Sequence, residues 1–399
     1  MKRVFALLSI VFVDAVGWGI VFPVFDSLMI GNPSHILSPS LSLVQRNVWF
    51  ELLIGLYCLC MFLAAPFLGA LSDRYGRRRV LLLSLYGAII GFCICILGIF
   101  YNDIILVFIG RAVSGLTAGS LAVAQAAISD ISEKDKLAKR FSLIALANGL
   151  GFAAGPAIGS LLLGASLFLP FVACVFLYVI VAIFFFLNFK ESFVGNKSQK
   201  ISVWIGFRNI YEAFRFKKVR ASVATLLLFM TGYIIFFNNI PIIFKERYQF
   251  GGVDSGFIIM YFALLFTLGL LILLPFFLKR FSLKSICLTG IAVHIVAYFV
   301  FVVIFNEWSG FAMLALIALT VSFVYVTCVT LAAQNVSADS QGKIMGVIGS
   351  IVAFAWGVGP VFAGFLMKVS AYYVYGFSVL LLLIAFFLMK QAYFVSPEI

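Results

Sequence analysis

Long apolar runs, separated by short polar or charged breaks, repeat along the whole of this 399-residue chain. Each run has about 20 residues, which is the length that an α-helix needs to cross the hydrocarbon core of a bilayer. The pattern therefore predicts an all-α membrane protein with 12 transmembrane helices in two sets of six. The predicted spans lie near 4–25, 50–71, 79–100, 103–128, 141–165 and 167–189, and near 219–243, 255–278, 284–305, 308–334, 343–367 and 370–393.

Composition supports a lipid environment for most of the chain. Apolar residues make up 64% of the sequence and charged residues only 11%. A soluble domain cannot bury so much apolar side chain, because its interior grows more slowly than its chain. The seven cysteines all lie within apolar runs, and we interpret them as packing residues rather than disulfides or metal ligands.

The placement of positive charge predicts the orientation of the spans. A net charge of +13 would suggest a nucleic-acid partner in a soluble protein. Here 23 of the 28 Lys and Arg residues fall in breaks on one side of the predicted spans, and only four fall on the other. Because such residues accumulate on the cytoplasmic side, both termini are expected there and no nucleic-acid partner is expected.

Internal similarity predicts two related halves. Gly155-Pro156 recurs 204 residues later as Gly359-Pro360. Parallel repeats of six helices occur in secondary transporters. The predicted domains are an N-terminal six-helix bundle, a cytoplasmic linker that could form a surface helix, and a pseudo-symmetric C-terminal six-helix bundle, over 1–189, 190–218 and 219–399.

Two charged side chains fall in the interior of predicted spans, away from the span ends. Asp14 lies in the first span and Arg111 in the fourth. A charge in the hydrocarbon core is costly, so both residues are functional candidates. Asp14 would bind and release a proton, and Arg111 would tune its proton affinity and hold it charged when no proton is bound. The alternative is that the two charges only neutralise each other.

The break after the second span carries the most specific motif, G-A-L-S-D-R-Y-G-R-R-R over 69–79. It resembles the signature G-x-x-x-D-R-x-G-R-R of the major facilitator superfamily at every specified position. Gly69 would let the second span approach a neighbour, and Gly76 would make a tight turn. The alternative is a loop that serves only to keep positive charge on the cytoplasmic side.

This resemblance implies a gate on the cytoplasmic side. It implies that Asp73 lies near Gly342 and Lys343, at the positive end of the eleventh span. It also implies that Arg77 pairs with Asp130 and that these contacts latch one transport state. The candidate gating residues are Gly69, Asp73, Arg74, Gly76, Arg77, Arg78 and Asp130.

The fifth predicted span contains Gly151, Gly155 and Gly159 at four-residue intervals, with Pro156 after the second. This spacing places the glycines on one helix face, where another helix can pack closely, and Pro156 weakens the helix. Packing alone would account for the glycines. The added Gly-Pro resembles the fifth-helix signature of the superfamily's antiporters and favours antiport over symport.

Three further segments resemble the tetracycline/proton antiporters of the same superfamily: VDAVGWGIVFPV, LLLSLYGA and GRAVSGLTAGS. Those antiporters carry an acid in the third helix, where this chain has about Gly91. They also carry a histidine in the eighth helix, and residues 262–269 of this chain contain none. Both groups are tied to metal-tetracycline transport. The resemblance therefore implies a proton-linked transporter without implying tetracycline as its cargo.

Five amides inside predicted spans are candidates for a substrate cavity. They could hydrogen-bond a substrate or join helices, and both interpretations remain open for Gln125, Asn148, Asn238, Asn239 and Gln334. His294, in the ninth span, is interpreted as structural. The sequence contains no phosphate-binding loop, nucleophile elbow or metal-ligand spacing, so we expect no enzyme activity, cofactor or metal.

We therefore expect a proton-coupled secondary transporter that exports small organic molecules by alternating access. The alternative is a proton-coupled importer of an anionic metabolite or carboxylate siderophore, in which Arg111 pairs with the anion. A sensor that transports nothing is disfavoured, because no segment remains for a signalling domain. We expect a monomer in a bacterial inner membrane, with a small-molecule substrate, protons and the lipid bilayer as its partners.

Overall fold

The structure is a computed structural model, and it describes residues 2–31, 35–193, 219–250, 252–304, 306–336 and 338–392, together with 204, 207, 208, 211 and 214. Within this part of the chain, 12 helices are long and apolar enough to cross a membrane. The predicted all-α membrane fold with 12 spans is therefore confirmed. The surface helix predicted within 190–218 falls mostly outside the described residues.

The first compact unit comprises Met1–Ile205 and Phe250–Tyr261. It holds the first six spans, and the fourth of them is divided between two helices. Its helices are α1 (Lys2–Phe25) followed by a π-helical turn (Asp26–Ile30), α2 (Leu43–Tyr75), α3 (Arg77–Phe100), α4 (Ile104–Leu116), α5 (Ser120–Asp130), α6 (Lys134–Leu163) and α7 (Leu169–Asn188).

The second compact unit comprises Gly206–Gln249 and Phe262–Ile399. The start of α10 groups with the first unit, whereas the sequence prediction put the whole eighth span in the C-terminal bundle. The remaining helices are α8 (Arg220–Asn238), α9 (Ile240–Tyr248), α10 (Gly252–Leu268) with a π-helical turn (Gly269–Leu273), α11 (Leu274–Leu278), α12 (Leu283–Val303), α13 (Glu307–Gln334), α14 (Ala338–Met367) and α15 (Ala371–Gln391).

The helix α1 occupies the interior of the first unit. It is apolar on all sides and most of its residues are buried, as expected for a helix surrounded by other helices. The glycine face of α6 packs directly against it. A Cβ atom on Gly151 would lie 2.4 Å from the Phe12 carbonyl oxygen, and one on Gly155 would lie 2.5 Å from that of Val16. Because these glycines have no side chain, the backbones of α6 and α1 touch, and this contact fixes the position of α1.

The helix α2 begins at Leu43, seven residues before its predicted start. A capping box stabilises this beginning: the Ser42 hydroxyl accepts from the Gln45 backbone N–H, and the Gln45 side chain accepts from the Ser42 N–H. The added turns carry the polar residues Arg46 and Asn47, Glu51 follows directly after them, and all three are buried. Their polarity imitates a loop in a hydropathy pattern, which explains the wrong boundary.

The fourth span is interrupted, although the sequence predicts one continuous helix over 103–128. The helix α4 ends at Leu116, and α5 begins at Ser120. The Thr117 hydroxyl binds the carbonyl oxygens of Val113 and Ser114 instead of leaving them to the next turn. The intervening residues 117–119 leave the N-terminal end of α5 open inside the span.

Candidate functional site

Asp14 lies on α1, and its carboxylate faces the break between α4 and α5. The Ser120 hydroxyl donates a hydrogen bond to Asp14 Oδ2, and the Tyr178 hydroxyl of α7 lies beside the same carboxylate. Ser120 is the first residue of α5, where the helix presents unpaired N–H groups and a partial positive charge. Hydroxyl groups and a helix end therefore surround the Asp14 carboxylate.

A glycine on α1 makes room for Tyr178. A Cβ atom on Gly17 would lie only 2.7 Å from the Tyr178 hydroxyl oxygen. Gly17 lies three residues after Asp14 and so occupies the same helix face. The small residue therefore lets the Tyr178 ring lie against α1 with its hydroxyl directed at Asp14.

Arg111 lies on α4 and is only 2% exposed. Its guanidinium carbon lies 4.0 Å from the centroid of the Tyr57 ring and 5.6 Å from that of Phe25. The described residues contain no ion pair that involves Arg111 or Asp14. The alternative in which the two charges only neutralise each other therefore finds no ion pair to support it here: aromatic faces hold Arg111, while hydroxyl groups hold Asp14.

The two groups differ in the chemistry that they allow. Asp14 is half-buried and accepts from neutral donors, so its carboxyl group can gain or lose a proton without breaking an ion pair. Arg111 carries a permanent charge enclosed by aromatic rings. The site thus combines a carboxyl group held by neutral donors with a fixed positive charge. Among the described residues, no group of three or more His, Cys, Asp or Glu side chains could hold a metal ion.

Arg77 is the centre of the loop between α2 and α3. Its Nη1 lies 2.5 Å from Asp73 Oδ1 and donates to Ser72 Oγ at 2.6 Å, and its Nε lies 3.1 Å from Asp130 Oδ2. One guanidinium group therefore joins the end of α2 to the end of α5. The contact between Arg77 and Asp130 is the one that the family resemblance implied.

A residue that sequence reasoning missed completes this loop. The Glu191 carboxylate accepts the backbone N–H groups of Arg77 at 2.9 Å and Arg78 at 3.1 Å, at the beginning of α3. An anion at a helix N-terminus satisfies unpaired donors and the helix dipole. Gly76, with φ of 99°, makes the turn, and a Cβ atom there would lie 2.4 Å from Glu191 Oε2.

The other predicted gating residues have separate environments. Arg78 donates to the Phe186 carbonyl oxygen at 2.8 Å, and the Arg74 guanidinium lies 5.4 Å from the Tyr75 ring centroid. A Cβ atom on Gly69 would meet no atom of the described residues within 4 Å, and the close helix approach predicted there stays a prediction. The predicted neighbours of Asp73, at 342 and 343, lie outside the residues whose surroundings are described.

The amide candidates are divided between the two units and differ in exposure. Gln125 is half-buried and Asn148 exposed in the first unit; Gln334 is exposed in the second. Asn238 and Asn239 are buried at the end of α8, where the Asn239 amide donates to the Ile235 carbonyl oxygen at 2.8 Å. The Asn238 amide has no hydrogen-bond partner among the described residues and remains the stronger substrate candidate.

His294 lies inside the second unit and is fully buried. Its Nδ1 is 2.8 Å from the Gly290 carbonyl oxygen of its own helix, and its ring packs edge-on against Phe229 and Tyr298. These contacts agree with the structural interpretation of His294.

Two acids near the ends of the first two spans were also missed. Asp26, in the π-helical turn, accepts a hydrogen bond from the Ser255 hydroxyl at 2.7 Å and is 1% exposed. Glu51, on α2, is fully buried. Asp26 lies just beyond the predicted end of the first span, and Glu51 lies at the predicted start of the second. Extending α2 back to the visible S-x-x-Q capping pattern at Ser42 would have moved Glu51 from the end of the span to its third turn, inside the membrane.

Comparisons with known proteins show the family to which this chain belongs. The model of the Major Facilitator Superfamily matches residues 7–360. The chain is 30% identical to the class C tetracycline resistance protein of Escherichia coli, over 92% of this chain and 89% of that protein. It is 28% identical to the class D tetracycline resistance protein of Salmonella ordonez, over 90% and 88%. The resemblance seen in the motifs is therefore confirmed over most of the chain.

A solved structure has the same fold. The human organic anion transporter MFSD10 (TETRAN) superposes with a TM-score of 0.74, over 97% of this chain and 99% of that one. The sequences are 19% identical, so the likeness concerns the arrangement of helices alone.

Proposed function

The chain belongs to the major facilitator superfamily, and we propose that it is a proton-coupled secondary transporter that exports small organic molecules. The family makes it a multi-pass membrane transporter and not an enzyme, with a small-molecule substrate. Proton coupling and outward direction are the proposed parts. We also propose cytoplasmic termini and a bacterial inner-membrane location, on the asymmetry of Lys and Arg.

The environment of Asp14 is the observation that carries the proposal. An ionisable group within a span is costly, and it is retained where it moves protons, ions or substrate. This carboxyl group has hydroxyl donors and a helix end instead of a cationic partner. Protonation would remove the charge that attracts the Ser120 hydroxyl and the end of α5. Binding a proton would thus favour a different contact between α1 and α5, which is the coupling that alternating access needs.

The outward direction is supported by the relatives. Proteins named for tetracycline resistance match this chain over about nine-tenths of its length. Resistance to a drug agrees with export of that drug from the cell. Tetracycline itself is not proposed, because this chain lacks the acid and the histidine at the two positions discussed above.

Transport in everted membrane vesicles tests the proposal. Vesicles energised to an acidic interior would be given a panel of fluorescent cationic and neutral drugs. Wild-type protein is expected to release protons from the vesicles when a transported drug is added. Asp14→Asn, which keeps the side-chain size but cannot ionise, is expected to abolish this release.

A matched control separates the acid from general damage. Asp103 caps the start of α4 from outside the span, and Asp103→Asn removes an acid of the same type. This control is expected to reduce proton release by less than twofold. Full drug-driven proton release by Asp14→Asn, at equal expression, would refute the proposed role of Asp14.

Arg111 favours a second candidate function, uptake of an anionic metabolite or carboxylate siderophore. It is a buried guanidinium without a carboxylate partner among the described residues, and such a group is suited to bind a carboxylate. In this alternative the cargo would supply the missing negative charge. Cells that lack the gene would then fail to grow on one nutrient or iron source and would show unchanged drug sensitivity. Increased drug sensitivity without a nutritional defect would contradict this alternative.

A further inference from the structure

We propose that Glu51 is a second proton-binding carboxyl group of this transporter, separate from Asp14. It lies close to the membrane side on which the first span ends and the second begins. The residue lies on the third turn of α2, eight residues after the helix begins at Leu43. Neither the family resemblance nor the site around Asp14 includes it. Its role in coupling rests on the proposed function, whereas its occupancy by a proton does not.

Burial without any partner is the first observation. Glu51 is 0% exposed. Both carboxyl oxygens are buried, and neither has a hydrogen-bond partner among the described residues. An ionised carboxylate in such surroundings loses its hydration and gains nothing in return. The neutral carboxylic acid is the form that this environment accommodates, so the ligand of the site is a proton.

The second observation is the level of Glu51 in the hairpin formed by α1 and α2. The Arg46 side chain donates to the Gly31 carbonyl oxygen at 3.1 Å, which brings these two residues close together. Successive spans run in opposite directions. Glu51 lies five residues after Arg46, and Asp26 lies five residues before Gly31. The two buried acids therefore lie at about the same depth, on neighbouring segments.

Asp26 already has a partner that Glu51 lacks. The Ser255 hydroxyl donates to Asp26 Oδ2 at 2.7 Å. Two negative charges at one depth would repel each other in a medium of low dielectric constant. Of these two acids, Asp26 accepts a hydrogen bond that can stabilise its carboxylate, and Glu51 accepts none. Glu51 is therefore the acid that holds the proton.

Among the residues that the structure describes, no neighbouring charge compensates Glu51. On its own helix, Arg46 binds backbone carbonyl oxygens on the preceding segment. On α4, Arg111 lies against aromatic rings. His35 in the loop before α2 and Asp254 at the start of α10 are exposed. A negative charge on Asp26 would only strengthen the preference for a neutral Glu51.

The site is distant from Asp14. Asp14 and Asp26 are 12 residues apart on one helix, which corresponds to roughly 18 Å along its axis. A proton on Glu51 therefore cannot be the proton on Asp14. Two carboxyl groups at different depths would allow proton exchange at two levels of the same span pair.

Infrared spectroscopy of the full-length protein in lipid tests the proposal. A protonated carboxylic acid gives a carbonyl band that is well separated from the carboxylate bands. At neutral pH, Glu51→Gln is expected to lose the intensity of one carboxylic acid from this region. Glu51→Asp is expected to shift that band, because the two acids absorb at different frequencies, and it serves if the glutamine variant fails to fold.

Controls make the outcome specific. Glu133→Gln removes an exposed carboxylate that is bound to Lys136, and it is expected to lose carboxylate intensity only. Transfer of the wild-type protein to D2O is expected to move the Glu51 band to lower frequency, since the proton exchanges. Carboxylic-acid bands that are the same in wild type and both Glu51 variants would overturn the proposal. A Glu51 band that does not shift in D2O would show that the Glu51 proton does not exchange with solvent, and it would overturn the proposed proton exchange.

The result is independent of the proposed function. Asp14→Asn keeps Glu51, so its Glu51 band is expected to remain. If Glu51 is protonated but drug addition moves no protons, the coupling proposal fails and the proton-binding site stands. If drug addition moves protons but the Glu51 band is absent, the Glu51 proposal fails and the coupling proposal stands.

Discussion

Substitution of Gly155 by alanine tests how tightly α6 holds α1. A Cβ atom at this position would lie 2.5 Å from the Val16 carbonyl oxygen and 3.0 Å from the Cα atom of Gly19. Both neighbours are backbone atoms, so no side chain can rotate away. Ordinary contact begins at 3.4 Å, and the helices would have to separate by about 0.9 Å. Asp14 lies on the displaced part of α1, which would change its distance from Ser120.

The expected magnitude follows from two opposing effects. Overpacking of this kind costs about 1–3 kcal/mol. Replacing glycine by alanine inside a helix returns at most about 1 kcal/mol through helix propensity. We therefore expect Gly155→Ala to lose about 1–2 kcal/mol of unfolding free energy. Gly349 on α14 is a matched control, because a Cβ atom there meets nothing within 4 Å. Gly349→Ala is expected to be neutral or slightly stabilising.

Equilibrium unfolding of the two purified variants in mixed detergent micelles would measure the difference. Proton release in vesicles, measured at equal amounts of folded protein, would report the displacement of Asp14. A Gly155→Ala variant as stable as Gly349→Ala, with normal proton release, would refute the close contact between α1 and α6.

Three further predictions concern the loops that follow α2 and α5. Gly76→Ala is expected to cost about 1–3 kcal/mol, because φ of 99° is unfavourable for alanine and its Cβ atom would meet Glu191; thermal unfolding of Gly76→Ala and Gly69→Ala should differ accordingly. Arg77→Gln breaks two ion pairs and is expected to lower the apparent melting temperature, and a melting temperature equal to that of wild type would contradict the network. The hydrogen bond and then the charge of Lys136 lower the pKa of Glu133, so the pair stabilises the folded state above the ordinary glutamate pKa and loses this effect as pH falls through the lowered value. Lys136→Gln is expected to raise the pKa of Glu133, and a carboxyl NMR titration that finds no rise would contradict the pair.

Much of the fold was predictable because hydropathy reports lipid exposure directly. The 12 apolar runs correspond to the 12 helices of the structure, and the family signature around Arg77 implied its contact with Asp130. The glycine spacing in α6 predicted a close helix contact, but the sequence alone did not name α1 as the partner. Such partners depend on tertiary packing, which a local pattern does not contain.

The polar details of the site were less predictable. The break before Ser120 is formed by backbone and hydroxyl contacts that a hydropathy window averages away. The alternative in which Asp14 and Arg111 neutralise each other assumed that opposite charges within a membrane meet. In the structure, hydroxyl groups and aromatic rings take the place of that ion pair. Glu51 was missed because polar residues at the start of α2 resemble a loop, although they are buried.

The central claim is that Asp14 carries the proton that drives transport. The most direct measurement is proton flux in proteoliposomes that contain only this protein, with a drug identified from the vesicle panel. An imposed pH gradient is expected to drive the drug uphill with wild-type protein, and Asp14→Asn is expected to exchange drug without responding to the gradient. Uphill transport by Asp14→Asn at the wild-type rate would contradict the account.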